Sequence, residues 1–356
     1  FAQEEPGKPK RFEYSRSGHP THEALEDCNA ALEGGRFGFA FGSGSAATLT
    51  LLHTLRPGDH VVSGDDVYGG TFRLFDKVLK PMGIETTFLD MRDVSRIERA
   101  ITDKTRLIWL ETPTNPLLKL FDIRKIGALA AARGLPLVVD NTFASPVLQR
   151  PLELGATVVM HSTTKYINGH SDVVGGALVT SDEALAERIR FLQNAIGAIP
   201  SPMDCYLVLR GLKTLPVRMR QHVKSASDLA HRLVAAKGVR VVHYPGLASH
   251  PDHALCQAQM AGGGGMISLE LEGGVDESRR FLSALRIFTL AESLGGVESL
   301  AEHPAIMTHA SIPAEVRRAV GITDSLVRLS VGLEDVEDLW NDLNRGLAAM
   351  RGAPQV

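Results

Sequence analysis

Short apolar runs alternate with longer segments of helical spacing between residues 37 and 180. The candidate strands are residues 37–41, 60–63, 85–89, 106–110, 136–139, 157–160 and 176–179. Apolar residues at helical spacing fill intervening segments such as 94–101 and 123–133. This alternation is typical of a mostly parallel sheet of seven strands joined by crossover helices. Several runs contain no polar position, so we expect both faces of the sheet to be covered.

The pattern changes to long helical spacing from about residue 204 to residue 237. Two short apolar runs, 239–245 and 266–273, follow Gly238, and each leads into a helical pattern. We therefore expect an α/β protein with an N-terminal arm over residues 1–36, a larger domain over 37–237 and a smaller C-terminal α/β domain over 238–356.

Composition narrows the functional classes. Of the 356 residues, 44% are hydrophobic, and 38 Lys plus Arg nearly balance 41 Asp plus Glu, which is typical of a globular protein without a nucleic-acid surface. The three cysteines form no C-x-x-C pair, which argues against disulfides, against a cysteine metal site and for a reducing compartment. No apolar run reaches the roughly 20 residues of a membrane helix, and the start lacks a signal-peptide pattern. We expect a cytoplasmic protein without a membrane partner.

Three features of the predicted sheet could carry chemistry. The segment 41–48, FGSGSAAT, places small residues between a strand and a helix, where backbone N–H groups can bind an anion, although simple turn chemistry also explains it. Asp140 ends a strand at the sheet edge where ligands bind, with helix capping as the alternative. Lys165 follows the next strand between Ser162 and Thr164, with a solvated surface lysine as the alternative. An anion cradle, a carboxylate and a lysine are the anchors that pyridoxal phosphate needs.

Eight segments resemble the trans-sulfuration family of fold-type I pyridoxal phosphate enzymes. They are EYSRSGHPT, DDVYGGTFR, LIWLETPTNP, VVDNTFASP, HSTTKYINGHSDVVGG, LVLRGLKTLPVRM, TLAESLGGVESL and LVRLSVGLED. They lie in family order from residue 13 to about residue 335, and STTK is the most specific. The resemblance implies a fold-type I fold, pyridoxal 5′-phosphate bound by the larger domain, and a homotetramer, a dimer of dimers with shared active sites.

The resemblance also implies which residues bind the cofactor. Lys165 matches the lysine that holds it covalently and acts as the base, Asp140 the carboxylate on the ring nitrogen, and Tyr68 the tyrosine that stacks on the ring. The remaining matches are Gly44, Ser45, Ser162 and Thr164 in the phosphate loop, Tyr14 and Arg16 lent to the phosphate by a neighbouring subunit, and Glu111 as a further carboxylate beside the cofactor. Ser45 departs from the apolar residue that many members carry, and the family's usual N-terminal segment is absent. From the residues alone, Tyr14 and Arg16 could instead form a solvated face.

On the substrate side, the resemblance implies that Asn115, Ser293 and Arg328 hold the α-carboxylate. Arg328 lies in an apolar strand where its charge needs a partner; a substrate carboxylate fits, and an internal Asp or Glu is the alternative. Arg73 resembles a position proposed to meet the far carboxylate of cystathionine, and a helix-surface arginine is the alternative.

Two features bear on the reaction. β-Lyases typically have an aromatic residue close to the position of Glu292, and the segment AESLGG of this chain has none. Gly70 occupies the position at which methionine γ-lyases usually carry cysteine. They favour the branch that contains cystathionine γ-lyase and γ-synthase. We expect γ-elimination on L-cystathionine, giving L-cysteine, 2-oxobutyrate and ammonia, with Tyr68 as the acid for the leaving sulfur. The alternatives are γ-replacement of O-acylhomoserine with cysteine and a binding protein that keeps the cofactor pocket without turnover.

Overall fold

The computed structural model describes residues 1–308 and 314–352. The strands are β1 (Gln3–Glu5), β2 (Lys8–Pro9), β3 (Phe37–Phe41), β4 (His60–Gly64), β5 (Glu85–Leu89), β6 (Thr105–Glu111), β7 (Leu137–Asp140), β8 (Val158–Ser162), β9 (Gly176–Thr180), β10 (Val239–His243), β11 (Met266–Leu271), β12 (Thr289–Leu290), β13 (Leu300–Glu302) and β14 (Leu326–Ser330). The α-helices are α1 (Pro20–Glu33), α2 (Gly44–Leu52), α3 (Gly69–Arg73), α4 (Val94–Ala100), α5 (Ile123–Ala132), α6 (Ser145–Leu148), α7 (Glu183–Ile196), α8 (Pro202–Leu212), α9 (Leu215–Val234), α10 (His253–Gln259), α11 (Val275–Ala284), α12 (Ala314–Val320) and α13 (Val336–Met350). A π-helical turn, Leu74–Leu79, continues α3, and 3₁₀ turns lie at Lys80–Met82 and Pro151–Leu154.

The larger sheet has seven strands in the order β3-β9-β8-β7-β6-β4-β5. The pairs β4–β5, β4–β6, β6–β7 and β7–β8 are parallel, whereas β9 is antiparallel to both β3 and β8. Each strand lies within two residues of its predicted ends. The α/β class and the mostly parallel seven-stranded sheet are therefore confirmed. The middle residues of the central strands are apolar because helices cover both faces, as the buried Val138 and Val139 of β7 show.

A second sheet has the order β10-β11-β14-β13-β12. Its strands pair antiparallel, except that β12 and β13 are parallel. Leu269 of β11 and Leu329 of β14 are fully buried in a core that also holds Phe281 of α11 and Leu343 of α13. The two-residue β12 and three-residue β13 were not predicted, because runs so short carry no hydrophobic period.

Helix α9 joins the cores of the two sheets. Leu215 and Met219 near its start pack in the core beside the larger sheet, whereas Leu229 and Leu233 near its end pack in the core of the second sheet. One helix therefore belongs to both hydrophobic units, and the domain limits at residues 36 and 237 stay a prediction.

Helix α1 packs against the strand that follows it. Leu25 and Ala30 are buried, and the Ala40 N–H of β3 donates a hydrogen bond of 2.9 Å to Glu26 Oε1. By contrast, no residue before His19 is buried. Within the predicted arm 1–36, the part that contains no buried residue is thus the segment 1–18.

Among the described residues, no helix combines the length and the apolar composition that crossing a membrane requires.

Candidate active site

The strand ends predicted to carry chemistry meet at one edge of the larger sheet. β6 ends at Glu111 and β7 at Asp140, and these two residues are register partners. β8 ends at Ser162, just before Lys165. Because these strands are parallel, their carboxyl ends share an edge, which is where open α/β sheets bind ligands. A cavity of about 320 Å³ lies there.

This cavity brings together all the predicted site residues except Tyr14, Arg16 and Arg73. The predicted residues that line it are Gly44, Ser45, Tyr68, Glu111, Asn115, Asp140, Ser162, Thr164, Lys165, Glu292, Ser293 and Arg328. Two further lining residues, Ser43 and Thr48, belong to the segment 41–48 predicted to bind an anion. The lining residues that the sequence did not point to are Thr71, Thr142, Phe143, Met160, Val174, Leu294 and Thr308. Thr142 lies in the motif VVDNTFASP and could have been proposed as a partner of Asp140, whereas no pattern marks Thr308. The structure thus places these residues, and their individual roles stay predictions.

The first turn of α2 forms one end of the cavity. The Ser43 hydroxyl caps this helix by accepting a hydrogen bond of 3.0 Å from the Ala46 N–H. A Cβ on Gly44 would lie 3.0 Å from Ser162 Cβ, so glycine is what lets α2 approach β8 this closely. The N–H groups of a first helical turn lack partners within the helix and carry partial positive charge. Together with the neighbouring hydroxyls of Ser45 and Ser162, they suit a phosphate or another anion.

Two buried carboxyl groups, those of Asp140 and Glu111, lie at the other end. Burial raises the pKa of Asp140, whereas hydrogen bonds from the Thr142 N–H and hydroxyl to Oδ1 lower it, as does His161. Burial and the adjacent Asp140 carboxylate raise the pKa of Glu111 well above its usual value. Burial outweighs the effects of Thr142 and His161, so the pKa of Asp140 is raised overall, but the two hydrogen bonds from Thr142 favour its charged form, which suits a bound cation.

Lys165 is a partly desolvated amine held by one hydrogen bond. Its Nζ donates to Ser293 Oγ over 2.7 Å. Burial lowers the Lys165 pKa to about 8, the Arg328 charge lowers it as well, and the carboxylates of Glu302 and Glu292 oppose this shift. Ser293 itself has a φ of 86°, a backbone conformation that costs a non-glycine residue about 1–3 kcal/mol and is common at active sites. A pKa of about 8 leaves a larger fraction of the amine deprotonated near neutral pH than in an ordinary lysine, and the deprotonated amine is the form that covalent chemistry requires.

Arg328 has an internal acidic partner. Its side chain is only 2% exposed, and Nη1 lies 3.0 Å from Oε1 of the equally buried Glu302. Nη1 also donates to Asn115 Oδ1 over 2.7 Å, and Nη2 donates to the Ser293 carbonyl over 2.8 Å. Glu302 was not predicted as a site residue, and it answers the question of how the strand carries this charge. The position of Arg328 at the cavity leaves a substrate carboxylate as a second partner.

Tyr68 stands at the mouth of the cavity, 46% exposed. Its backbone N–H donates a hydrogen bond of 2.8 Å to Glu111 Oε2, which fixes the start of α3. A Cβ on Gly70 would lie 2.3 Å from Tyr68 Cε1, so any side chain at this position would displace the ring. The glycine therefore sets the position of the tyrosine.

Tyr14, Arg16 and Arg73 do not line the cavity of their own chain. Tyr14 is 56% exposed, and the Arg16 guanidinium lies over its ring. Arg16 Nη1 donates to the backbone carbonyl and to Oδ1 of Asn194. Arg73 is exposed in the last turn of α3, close enough to Tyr68 for its charge to lower the pKa of the tyrosine against the larger opposite effect of burial.

Nearly the whole sequence matches a known family of enzymes. The sequence model of the Cys/Met metabolism PLP-dependent enzymes matches residues 1–348. The chain belongs to this family. The resemblance inferred from the sequence motifs is therefore confirmed, and so is pyridoxal 5′-phosphate as the cofactor.

Relatives within this family carry several different names. A cystathionine β-lyase of Coxiella burnetii is 53% identical over 349 residues, which cover 98% of this chain and 90% of the relative. A cystathionine γ-lyase of Dictyostelium discoideum is 52% identical over 348 residues, again 98% and 90% of the two chains. The solved structure of a cystathionine gamma synthase from Xanthomonas oryzae pv. oryzae in complex with cystathionine matches with a TM-score of 0.97 and 46% identity, and covers 99% of this chain and 92% of that one. The chain is thus similar to lyases and a synthase of one fold.

The cavity of this family member fits the family's cofactor. The close approach of α2 at Gly44 leaves a cradle for the phosphate, and the Asp140 carboxylate is placed for a protonated ring nitrogen. Lys165 supplies an amine of lowered pKa, and the exposed ring of Tyr68 supplies a stacking face. This set of donors contains each kind of group that pyridoxal 5′-phosphate requires.

The lowered pKa of Lys165 predicts how cofactor uptake depends on pH. The amine must be deprotonated to bind the aldehyde covalently, so the rate of uptake by cofactor-free protein should rise about tenfold per pH unit up to about pH 8 and then level off. Absorbance after rapid mixing with pyridoxal 5′-phosphate measures this rate, and Nα-acetyl-lysine is the control. A rise that continues to pH 10, as expected for the control, would contradict the assignment.

Proposed function

We propose that this chain is a cystathionine γ-lyase, which converts L-cystathionine and water into L-cysteine, 2-oxobutyrate and ammonia. The observation that carries the proposal is a pair of opposite charges around Tyr68: Glu292 lines the cavity, and Arg73 is exposed on α3. Both charges act on the Tyr68 hydroxyl, in opposite directions. Cystathionine carries an ammonium and a carboxylate at the end remote from the reacting carbon, so this charge pair matches its far end.

The near end of the substrate would be held by the residues around Lys165. Arg328 and Asn115 bind the α-carboxylate, and Ser293 keeps Lys165 Nζ on the substrate side through its 2.7 Å hydrogen bond. When bound, pyridoxal 5′-phosphate supplies an electron-withdrawing ring that acidifies the Cα–H of an attached amino acid. Lys165 Nζ then takes the Cα proton, passes it to the bound cofactor and next removes a proton from Cβ. The electron pair of that Cβ–H bond forms the Cβ–Cγ double bond as the Cγ–S bond breaks. Burial raises the Tyr68 pKa, so the hydroxyl is protonated at neutral pH and donates its proton to the departing sulfur.

Asp140 and Glu111 lie at the nitrogen end of the cofactor ring in this proposal. The Asp140 carboxylate holds a proton on the ring nitrogen, because the hydrogen bonds from Thr142 stabilise its charged form. Glu111 positions Tyr68 through its hydrogen bond to the backbone N–H. Arg328 as the carboxylate-binding residue, Lys165 as the base and Tyr68 as the acid are thereby arranged around one substrate.

The second candidate is cystathionine γ-synthase, favoured by the likeness to the Xanthomonas synthase. It breaks the Cγ–O bond of an O-acylhomoserine, releasing the acyl group as a carboxylate, and forms a bond from Cγ to the sulfur of cysteine, whose thiol gives up its proton. Purified protein given L-cystathionine should release 2-oxobutyrate faster than it forms cystathionine from O-succinylhomoserine and cysteine. The opposite ratio would favour the synthase, and bound cofactor without turnover of either would indicate a binding protein.

Removing the charge of Arg73 should weaken the binding of cystathionine selectively. A lost charged hydrogen bond typically costs 1.5–3 kcal/mol, so Arg73→Gln should raise KM for cystathionine about ten- to a hundredfold. Methionine, which lacks the far charges, should remain an equally poor substrate. The exposed Arg96→Gln on α4 is the matched control and should change nothing. An unchanged KM in Arg73→Gln would make Arg73 an ordinary surface residue.

Each active site is proposed to include Tyr14 and Arg16 of a second copy of the chain, within a homotetramer. The support is that both residues are exposed, lie outside their own cavity and belong to a segment with no buried residue before His19. A phosphate at the start of α2 would gain a guanidinium from this segment.

A further inference from the structure

The strand pair β13–β14 places a carboxylate directly beside the substrate-binding arginine. Glu302 and Arg328 are register partners in this antiparallel pair. Their side chains are 1% and 2% exposed, and Oε1 lies 3.0 Å from Nη1. The hydroxyl of Thr308, a lining residue of the cavity, donates to the same oxygen over 3.1 Å. Glu302 itself does not line the cavity, so it acts only through its partners.

The hydrogen bonds of Arg328 leave one side of its guanidinium for a ligand. Nη1 is held by Glu302 and Asn115, and Nη2 donates one hydrogen to the Ser293 carbonyl. Within residues 1–308 and 314–352, the buried Nε has no hydrogen-bond partner. Nε and Nη2 lie on the same side of the planar fork, from which an arginine can donate to a carboxylate in a bidentate manner. The contacts to Nη1 therefore orient the guanidinium without blocking this side.

The charge of Glu302 also matters for affinity. An unpaired buried guanidinium would attract any carboxylate strongly and would release it slowly. With Glu302 in place, Arg328 is already neutralised before the substrate enters, so the gain from binding a second carboxylate is reduced. Glu302 also affects Lys165. Burial and the Arg328 charge lower the pKa of Lys165, and the carboxylates of Glu302 and Glu292 raise it.

We propose that Glu302 is a positioning residue that orients Arg328 for the substrate α-carboxylate and, as its resident counter-ion, limits how tightly that carboxylate is bound. The inference rests on the proposed function only in that an amino acid binds at this site. It does not depend on which carbon–sulfur bond breaks.

Two variants separate orientation from charge. Glu302→Gln keeps an acceptor oxygen for Nη1 and removes the charge, so the holoenzyme should bind glycine about tenfold more tightly. Glu302→Ala removes both, so the guanidinium loses its anchor and glycine should bind about tenfold more weakly. Calorimetric titration measures both affinities. The affinity for glycinamide, which has no carboxylate, should change less than about twofold in Glu302→Gln.

The bound cofactor provides an independent readout. Because Glu302 favours positive charge at Lys165 Nζ, the pH midpoint of the visible absorbance of the holoenzyme should fall in Glu302→Gln. The matched control is Glu270→Gln on β11, which removes the carboxylate of another arginine pair on the same sheet, with Arg240, and should move neither readout. A merely structural role for Glu302 would leave this midpoint and the preference for glycine over glycinamide unchanged in Glu302→Gln.

The wild-type holoenzyme tests the inference even if Glu302→Gln does not fold. With Arg328 already neutralised, glycine should bind no more than about tenfold more tightly than glycinamide. A preference of a hundredfold or more would overturn the proposal, as would unchanged or weaker glycine binding in a folded Glu302→Gln holoenzyme. Failure of the wild-type holoenzyme to bind any amino acid would instead overturn the proposed function.

Discussion

Lys165→Ala is expected to lower kcat on L-cystathionine by about 10⁴-fold, the largest loss of any single substitution. The change removes the covalent anchor and the base together, whereas the cradle at α2 and the Asp140 carboxylate remain. The variant should therefore still bind pyridoxal 5′-phosphate, but without a covalent link. Steady-state kinetics and cofactor retention on gel filtration measure the two effects.

The matched control for this prediction is Lys224→Ala, which changes an exposed lysine of α9 and should leave kcat unchanged. Borohydride reduction of the wild-type holoenzyme followed by peptide mapping should place the pyridoxyl label on Lys165. A label on another lysine, or a Lys165→Ala variant with near-normal turnover, would show that Lys165 is not the lysine that binds the cofactor and acts as the base.

Mixing two inactive variants is expected to restore activity. Arg16→Ala lacks the proposed contribution to a neighbour's phosphate site, and Lys165→Ala lacks the lysine. If active sites are shared between two chains, a mixed dimer contains one site with both residues intact. With random exchange at equal amounts, about one quarter of all sites should then be complete, because half of the dimers are mixed and each has one good site.

Subunit exchange must be shown independently in that experiment, with differently tagged chains that co-purify after mixing. Recovery of about a quarter of wild-type activity supports the shared site. Proven exchange without any recovery would mean that Arg16 acts within its own chain, where it contacts Asn194. An Arg16→Ala protein that is fully active before mixing would mean that Arg16 has no part in the site.

The larger sheet and the cofactor end of the site were predictable because their signals are local. The central strands have an apolar run followed by a polar carboxyl end, as β7 ends in Asp140 and β8 in Ser162, and parallel strands must bring such ends together. Lys165 lies in an uninterrupted motif of a well-marked family. The positions of these residues therefore follow from short stretches of sequence.

The missed parts depend on contacts between distant segments. Glu302 meets Arg328 only because the three-residue β13 pairs with β14, and a strand of that length gives no periodic pattern. The buried face of α1 includes Glu26 and Glu33, polar residues that sequence reasoning assigns to the surface. Their burial is offset by partners such as the Ala40 N–H, which only the folded chain reveals.

The most direct measurement of the central claim uses L-cystathionine labelled with ¹³C in its four-carbon half. Cleavage at Cγ of that half places the label in 2-oxobutyrate and leaves cysteine unlabelled, and NMR of the reaction mixture identifies both products. A γ-lyase gives labelled 2-oxobutyrate as the main keto acid, which is the expected result. Unlabelled pyruvate together with labelled homocysteine would show that the bond at Cβ breaks, and would contradict the assignment as a γ-lyase.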